Sequence, residues 1–143
     1  MDPRPINDRQ TIAEALAKGV RIAIVGLSPK PHRDSHRVGR YLVDHGYDIV
    51  PVRPKADKVL GRKAYLDLKS VKGRIDVVDV FLNPDNIGPV VDQAIEVGAK
   101  VLWLQLGVVN GEAAERARHA GLHVVMDRCI KVEHARWLRS SAG

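Results

Sequence analysis

Two cations follow the second predicted strand, at a position that often selects a nucleotide ligand. Asp48 to Val52 is predicted as a strand, and Arg53 and Lys55 come directly after it. In a dinucleotide-binding fold, an Asp or Glu at this place binds the ribose hydroxyls of NAD. Cations there favour a phosphorylated ribose, and NADP and coenzyme A are the two common ligands that carry one. A solvated Arg and Lys without a ligand is the simpler alternative.

A second candidate phosphate contact follows the first predicted strand. The aliphatic run Ile22 to Val25 stops at Gly26, and a helix is predicted from Ser35 to His45. Strand, glycine-containing loop and helix form the opening of a Rossmann-type unit, which holds phosphate at the helix N-terminus. The loop lacks the dinucleotide fingerprint G-x-G-x-x-G, because Ser28 and Pro31 stand where its second and third glycines would be. The sequence therefore predicts phosphate-binding geometry without the NAD signature.

Further candidate contacts lie at the start of that helix and after the third predicted strand. Ser35 can cap the helix, and Arg37 is expected to face a phosphate held there. Phe81, Leu82 and Asn83 offer an apolar wall and an amide, which suit the flank of an adenine. In a parallel sheet all these segments meet at the carboxyl ends of the strands.

The elements that must position these residues recur along the chain. Helical periodicity runs into a glycine, and an aliphatic strand follows, in EALAKG-VRIAIVG, YLVDHG-YDIVPV, AIEVGA-KVLWLQLG and RARHAG-LHVVMD. A further strand, Ile75 to Leu82, follows Gly73 in the same way. This alternation predicts a parallel sheet covered on both faces. We expect an α/β, Rossmann-like, doubly wound three-layer fold with a five-stranded parallel sheet in the order 3-2-1-4-5.

The 143 residues are expected to form one domain, residues 1–143, because no linker or low-complexity tract divides them. A helix predicted from Asn7 to Lys18 would pack on this domain ahead of the first strand. A short helix is predicted around Tyr65 to Val71, and another helix near Gly88. Asn110 is predicted to cap the helix that follows it.

Composition limits the class of protein. The formal charge of +6 suits an anionic ligand, nucleic acid or simply a basic surface. A nucleic-acid-binding module is disfavoured, because the cations are spread along the chain and only 4% of residues are aromatic. No signal peptide begins the chain and no apolar run approaches the roughly 20 residues of a spanning helix, so we expect a cytoplasmic protein without membrane contact.

Few residues suggest catalysis. The six histidines show no metal-binding spacing, so no metal site is expected. The single cysteine, Cys129, follows the fifth strand beside Arg128 and Lys131, and nearby cations would favour a thiolate. It is a possible thiol partner for a ligand, although a buried, inert cysteine is the simpler interpretation. No nucleophile–base pair can be assigned, which favours a ligand-binding protein over an enzyme.

Several longer motifs resemble those of one family. VGLSP, S-x-R-V at Ser35 to Val38, G-Y-D-I-V-P-V-x-P, DVVDVF, WLQLGVVN and MDRCIKVEH are similar to those of the small CoA-binding proteins. These proteins resemble the N-terminal CoA-binding domain of the succinyl-CoA synthetase α subunit. The resemblance covers about Ile22 to Arg136 and implies a Rossmann-like fold that binds coenzyme A.

The resemblance also implies where the ligand lies. It places the phosphates near the first loop and helix start, and the adenosine near Pro54 and Lys55. Family members usually carry Asn before that proline, as V-N-P, whereas this chain has Arg53. Together with the strand-end argument, this gives a candidate CoA site of Gly26, Leu27, Ser28, Pro29, Ser35, Arg37, Val38, Arg53, Pro54, Lys55, Phe81, Leu82 and Asn83.

The sequence therefore predicts a protein that binds coenzyme A or an acyl-CoA at the carboxyl ends of the strands. An NADP-dependent oxidoreductase domain is the first alternative, disfavoured by the missing glycines and the absence of catalytic residues. A nucleic-acid-binding module is the second.

Overall fold

Strands and helices alternate along most of the described residues, 3–55 and 57–142 of a computed structural model. The strands are β1 (Arg21–Val25), β2 (Asp48–Val52), β3 (Lys58–Val59), β4 (Arg62–Lys63), β5 (Val77–Val80), β6 (Val101–Leu104) and β7 (His123–Met126). The helices are α1 (Arg9–Ala15), α2 (Asp34–Asp44), α3 (Gly88–Glu96), α4 (Gly111–His119) and α5 (Ile130–Ala142). Two 3₁₀ turns, Leu68–Ser70 and Pro84–Asn86, lie beside β5 in the chain.

Five parallel strands form the main sheet, in the order β2-β1-β5-β6-β7. Every neighbouring pair is parallel and in continuous register, from Arg21↔Asp48 at one side to Leu104↔Met126 at the other. The predicted α/β, Rossmann-like fold with five parallel strands is thereby confirmed.

The third strand of the main sheet lies at a different place from the one expected in the order 3-2-1-4-5. Counting only the five strands of the main sheet, the order is 2-1-3-4-5, with β5 beside β1 and β2 at the edge. Pro51 of β2 explains this edge. Its carbonyl accepts from Tyr65 N on the outer side, at 3.0 Å, so its nitrogen, which has no hydrogen, also faces outward. A strand placed there would lack a ladder hydrogen bond, which confines this proline to an edge.

Helices cover both faces of the sheet and give the expected three layers. Helices α1, α2 and α5 pack on one face through residues such as Leu16, Leu42 and Ile130. Helices α3 and α4 pack on the other through Val91 and Ala114. Each side chain named here is 0% exposed, so both interfaces are dry apolar contacts.

One polar group interrupts the core of the central strands. Asp79 of β5 lies between Ile24 and Trp103 in register, and it is 0% exposed. Neither of its carboxyl oxygens has a hydrogen-bond partner among the described residues. Burial raises the pKa of Asp79 well above its usual value, because the apolar surroundings favour the neutral form of the carboxyl group.

The segment between β2 and β5 departs from the expected short helix at Tyr65 to Val71. Tyr65 forms an isolated parallel bridge with Val52, and only the 3₁₀ turn at Leu68–Ser70 is helical. The hairpin of β3 and β4 stands before it, where a loop was expected. Asn110 caps α4 by accepting from Ala113 N, as predicted, and α3 begins at Gly88.

Among the described residues, no helix combines the length and the apolar character needed to cross a bilayer.

Candidate functional site

The carboxyl ends of β1, β2 and β5 converge on Gly26. Its amide donates to Val52 O at 2.9 Å, and Phe81 N donates to Val25 O at 2.9 Å. Gly26 has a φ of +86°, and a Cβ placed on it would lie 2.3 Å from the carbonyl oxygen of Phe81. Only glycine fits this conformation and this close approach. The chain therefore passes over the strand end with its backbone open to the edge of the sheet.

Local hydrogen bonds hold the loop between β1 and α2. Ser28 N donates to Ser35 Oγ at 3.0 Å, and Lys30 N donates to Ser28 Oγ at 3.1 Å. His36 Nδ1 lies 2.9 Å from Ser28 O, which makes the imidazole a donor to that carbonyl. Ser35 was expected to cap α2, but α2 begins at Asp34, so Ser35 lies inside the first turn and its hydroxyl accepts from the loop. Arg33 occupies the N-cap position and makes no side-chain cap hydrogen bond.

These elements enclose a groove of about 470 Å³ at the carboxyl edge of the sheet. Its lining is Gly26, Ser28, Pro29, Lys30, Arg33, Asp34, Ser35, Arg53 and Phe81. The first-turn amides of α2 have no intrahelical acceptor and no side-chain cap, so they are free to donate to an anion.

The charge of this groove is positive. Lys30, Arg33 and Arg53 line it, and among the described residues none of the three forms an ion pair. The one carboxylate in the lining, Asp34, pairs with Arg37 at 3.3 Å. Unpaired cations beside free amides are the usual equipment of a phosphate site.

Arg53 joins this groove to a second, apolar cavity of about 230 Å³. Its backbone is fixed, because Arg53 N donates to Tyr65 O at 2.8 Å. The cavity is lined mainly by apolar side chains, among them Val25, Val52, Pro54, Leu66, Leu68, Leu82 and Val90. Leu66 is 67% exposed, so an apolar surface at its mouth lies open to solvent. A flat apolar group with a charged neighbour would fit across the two cavities.

The structure brings most of the predicted residues to these two cavities. Gly26, Ser28, Pro29, Ser35, Arg53 and Phe81 line the groove, and Pro54 and Leu82 line the apolar cavity. Leu27 and Val38 are buried in the core beneath them. Lys55 and Asn83 line neither cavity, and Asn83 Oδ1 instead accepts from Asp85 N.

The cations that line the groove differ from the one predicted at the start of the helix. Arg37 lines neither cavity, and its side chain is 60% exposed. Lys30 and Arg33, which the sequence argument did not single out, take its place in the groove. Their position between Gly26 and the predicted helix was the available signal, since that loop surrounds the phosphate in a Rossmann-type unit.

Cys129 lies after β7, at the same edge of the sheet, and it is half-buried. It packs against the cluster that contains Val125 and Ile130, and it lines neither cavity.

A larger cavity, of about 840 Å³, lies at the opposite, amino edge of the sheet. Its acidic groups are already paired with its cations: Arg4 with Glu14, and both Arg74 and Lys100 with Asp76. Burial acts to raise the pKa of Asp76, but the hydrogen bond from the Arg21 amide and the charges of Arg74 and Lys100 together hold it below its usual value. Lys18 is the one Lys or Arg of this lining that forms no ion pair among the described residues, whereas the carboxyl-edge groove has three such cations.

Similar proteins share this fold and much of this sequence. The protein YneT of Bacillus subtilis, described as uncharacterized, is 45% identical over 124 residues, which cover 87% of this chain and 92% of YneT. A hypothetical protein from Pyrococcus horikoshii is 44% identical, with a TM-score of 0.87 over 96% of this chain and 99% of that one.

A more distant structural match is part of a named enzyme. The apo form of a dinucleotide-forming acetyl-coenzyme A synthetase from Candidatus Korarchaeum cryptofilum is 25% identical, with a TM-score of 0.70. The match covers 80% of this chain and 28% of that enzyme. The family model described as "CoA binding domain" matches residues 20–135. With most of its length matched by that model, the chain belongs to the CoA-binding domain family.

Proposed function

We propose that this protein binds coenzyme A at the carboxyl edge of its sheet. The observation that carries the proposal is the positive groove, where Lys30, Arg33 and Arg53 have no ion-pair partner among the described residues. Coenzyme A is a polyanion with a diphosphate and a separate ribose phosphate, so it needs several cations spread over one surface. The free amides of α2 add donors for the diphosphate.

Each part of the ligand has a matching surface. The diphosphate would lie over the loop at Ser28, between Lys30 and Arg33, with the first turn of α2 behind it. The adenine would enter the apolar cavity and cover Leu66. Arg53 lines both cavities, so it can reach the phosphate on the ribose that joins them. The proposal includes free coenzyme A and acyl-CoA, because the two share this nucleotide.

Calorimetric titration with three ligands tests the proposal. Coenzyme A should bind more tightly than dephospho-CoA, because a hydrogen bond to a charged group contributes about 1.5–3 kcal/mol. NADPH should bind more weakly than either. Tighter binding of NADPH than of coenzyme A would refute the ligand assignment.

A pair of neighbouring variants assigns the ribose phosphate. Arg53→Gln should remove most of the difference between coenzyme A and dephospho-CoA, since Arg53 lines the groove. Lys55→Gln removes an equal charge two residues away, where the side chain lines neither cavity, and should leave the difference unchanged. Equal effects of the two variants would show that general charge, and not Arg53, selects the phosphate.

A further inference from the structure

A separate cleft of about 330 Å³ opens at the amino edge of the sheet, far from the positive groove. It lies where α5 runs back over the segments that precede β1 and β2. Its lining is Lys18, Gly19, His45, Gly46, Tyr47, His134, Trp137 and Leu138. Four of these eight residues carry an aromatic ring.

One polar side chain at this cleft lacks a complete set of partners. His134 is 3% exposed, and its only side-chain hydrogen bond among the described residues joins Nδ1 to Tyr41 Oη at 2.8 Å. Burial raises the pKa of Tyr41, so the phenol keeps its proton, and it has no other acceptor within the described structure. Tyr41 therefore donates to Nδ1, and the second nitrogen of His134, Nε2, carries the hydrogen.

The Nε2–H group of His134 is left without an acceptor. Burial and the nearby His45 lower the pKa of His134, so the imidazole is neutral and has a single N–H to donate. Among the described residues, the fully buried side-chain polar atoms without a hydrogen-bond partner are the two oxygens of Asp79. His134 Nε2 is not one of them, so it is partly accessible. Since His134 lines the cleft, its free donor is open to that space. A donor that opens on a cleft and has no partner within the chain is free to bind an acceptor from outside it.

The surroundings of that donor indicate the kind of acceptor. The ring of Tyr47 meets the His134 ring edge-on with centroids 5.5 Å apart, and the ring of Trp137 lies 5.9 Å away. Lys18 stands at the rim, exposed and, among the described residues, in no ion pair. Aromatic walls, one N–H donor and one free ammonium fit a planar ring that carries a negative charge.

We infer that this cleft is a binding site for a small aromatic carboxylate. The ring would lie in the cleft against the aromatic side chains of its lining, and the carboxylate would accept from His134 Nε2 and face the Lys18 ammonium. The inference does not depend on coenzyme A, because the groove proposed for coenzyme A is at the other edge of the sheet. Failure of one site leaves the other in place.

Benzoate is the probe, with two matched compounds as controls. Its binding to the full chain is followed by the ¹³C and ¹⁵N resonances of the His134 ring and by calorimetry. Benzoate is expected to bind in the millimolar range or tighter, as its size allows. Cyclohexanecarboxylate, which lacks the aromatic ring, should bind about two- to tenfold more weakly. Benzyl alcohol, which lacks the charge, should also bind more weakly.

Two variants locate the site. His134→Asn keeps an oxygen that can accept from Tyr41 but removes the Nε2 donor, and it should abolish benzoate binding. If that variant does not fold, Lys18→Gln is the deciding variant, because Lys18 is exposed and its replacement should not disturb folding. Lys18→Gln should weaken the binding of benzoate by about two- to fivefold. Lys72→Gln removes an exposed charge elsewhere and should change nothing. Absence of benzoate binding, or shifts at Arg33 in place of His134, would overturn the inference.

Discussion

Replacing Gly26 with alanine would drive a methyl group into the neighbouring strand. The new Cβ would lie 2.3 Å from Phe81 O, and the backbone would keep a φ of +86° that a side chain disfavours. The left-handed conformation costs about 1–2 kcal/mol. Forcing a methyl group into a packed contact costs about 1–3 kcal/mol more. We therefore expect Gly26→Ala to lower the free energy of unfolding by about 2–5 kcal/mol in total.

Gly46→Ala is the matched control for this substitution. Gly46 has a φ of +87°, and a Cβ placed there would meet nothing within 4 Å. Its variant should lose only the conformational cost, about 1–2 kcal/mol. The melting temperature of Gly26→Ala, measured by circular dichroism, should lie about 3–10 °C below that of Gly46→Ala. Equal melting temperatures would refute the claim that the approach of Phe81 to Gly26 requires glycine.

Three further substitutions test the core and the site. Asp79→Val should raise the free energy of unfolding at pH 7 by about 1–3 kcal/mol in urea titrations, because it removes a buried carboxyl group without partners. Since the folded-state pKa of Asp79 is raised, the wild type should lose stability as pH rises above roughly 4, and the variant should lack that slope. A less stable variant with an unchanged slope would contradict this. Ser35→Ala should weaken coenzyme A binding, because it frees the Ser28 amide from the contact that shapes the loop; unchanged affinity would contradict that role. Coenzyme A should slow alkylation of the half-buried Cys129 at the same edge, and modification that occurs only after denaturation would show an inert core thiol.

The sequence was most informative about the strands, because buried parallel strands require short aliphatic runs. Asp48–Val52 was predicted with its observed bounds, and the other large strands differ mainly by residues at their ends. Strand order depended on contacts between distant segments, which periodicity does not contain. Pro51 alone marked β2 as an edge, since a proline nitrogen cannot take part in a ladder.

The site was predictable where backbone position decides the contact and less so where side-chain direction does. Gly26 and Arg53 lie at strand ends, so the topology alone brings them together. Arg37 and Arg33 are both near the start of α2, and only the three-dimensional path of the loop decides which one lines the groove. Ser35 is not the helix cap that was predicted, because α2 begins one residue earlier than expected.

Mapping coenzyme A on the folded chain by amide NMR tests the central claim most directly. Saturating coenzyme A should shift the amide resonances of Gly26, Ser28 and Ser35, which line the positive groove. The amides of Gly98 and Gly121, which line the cavity at the opposite edge, should stay unchanged. Shifts at Gly98 and Gly121 with none at Ser28 would contradict the account.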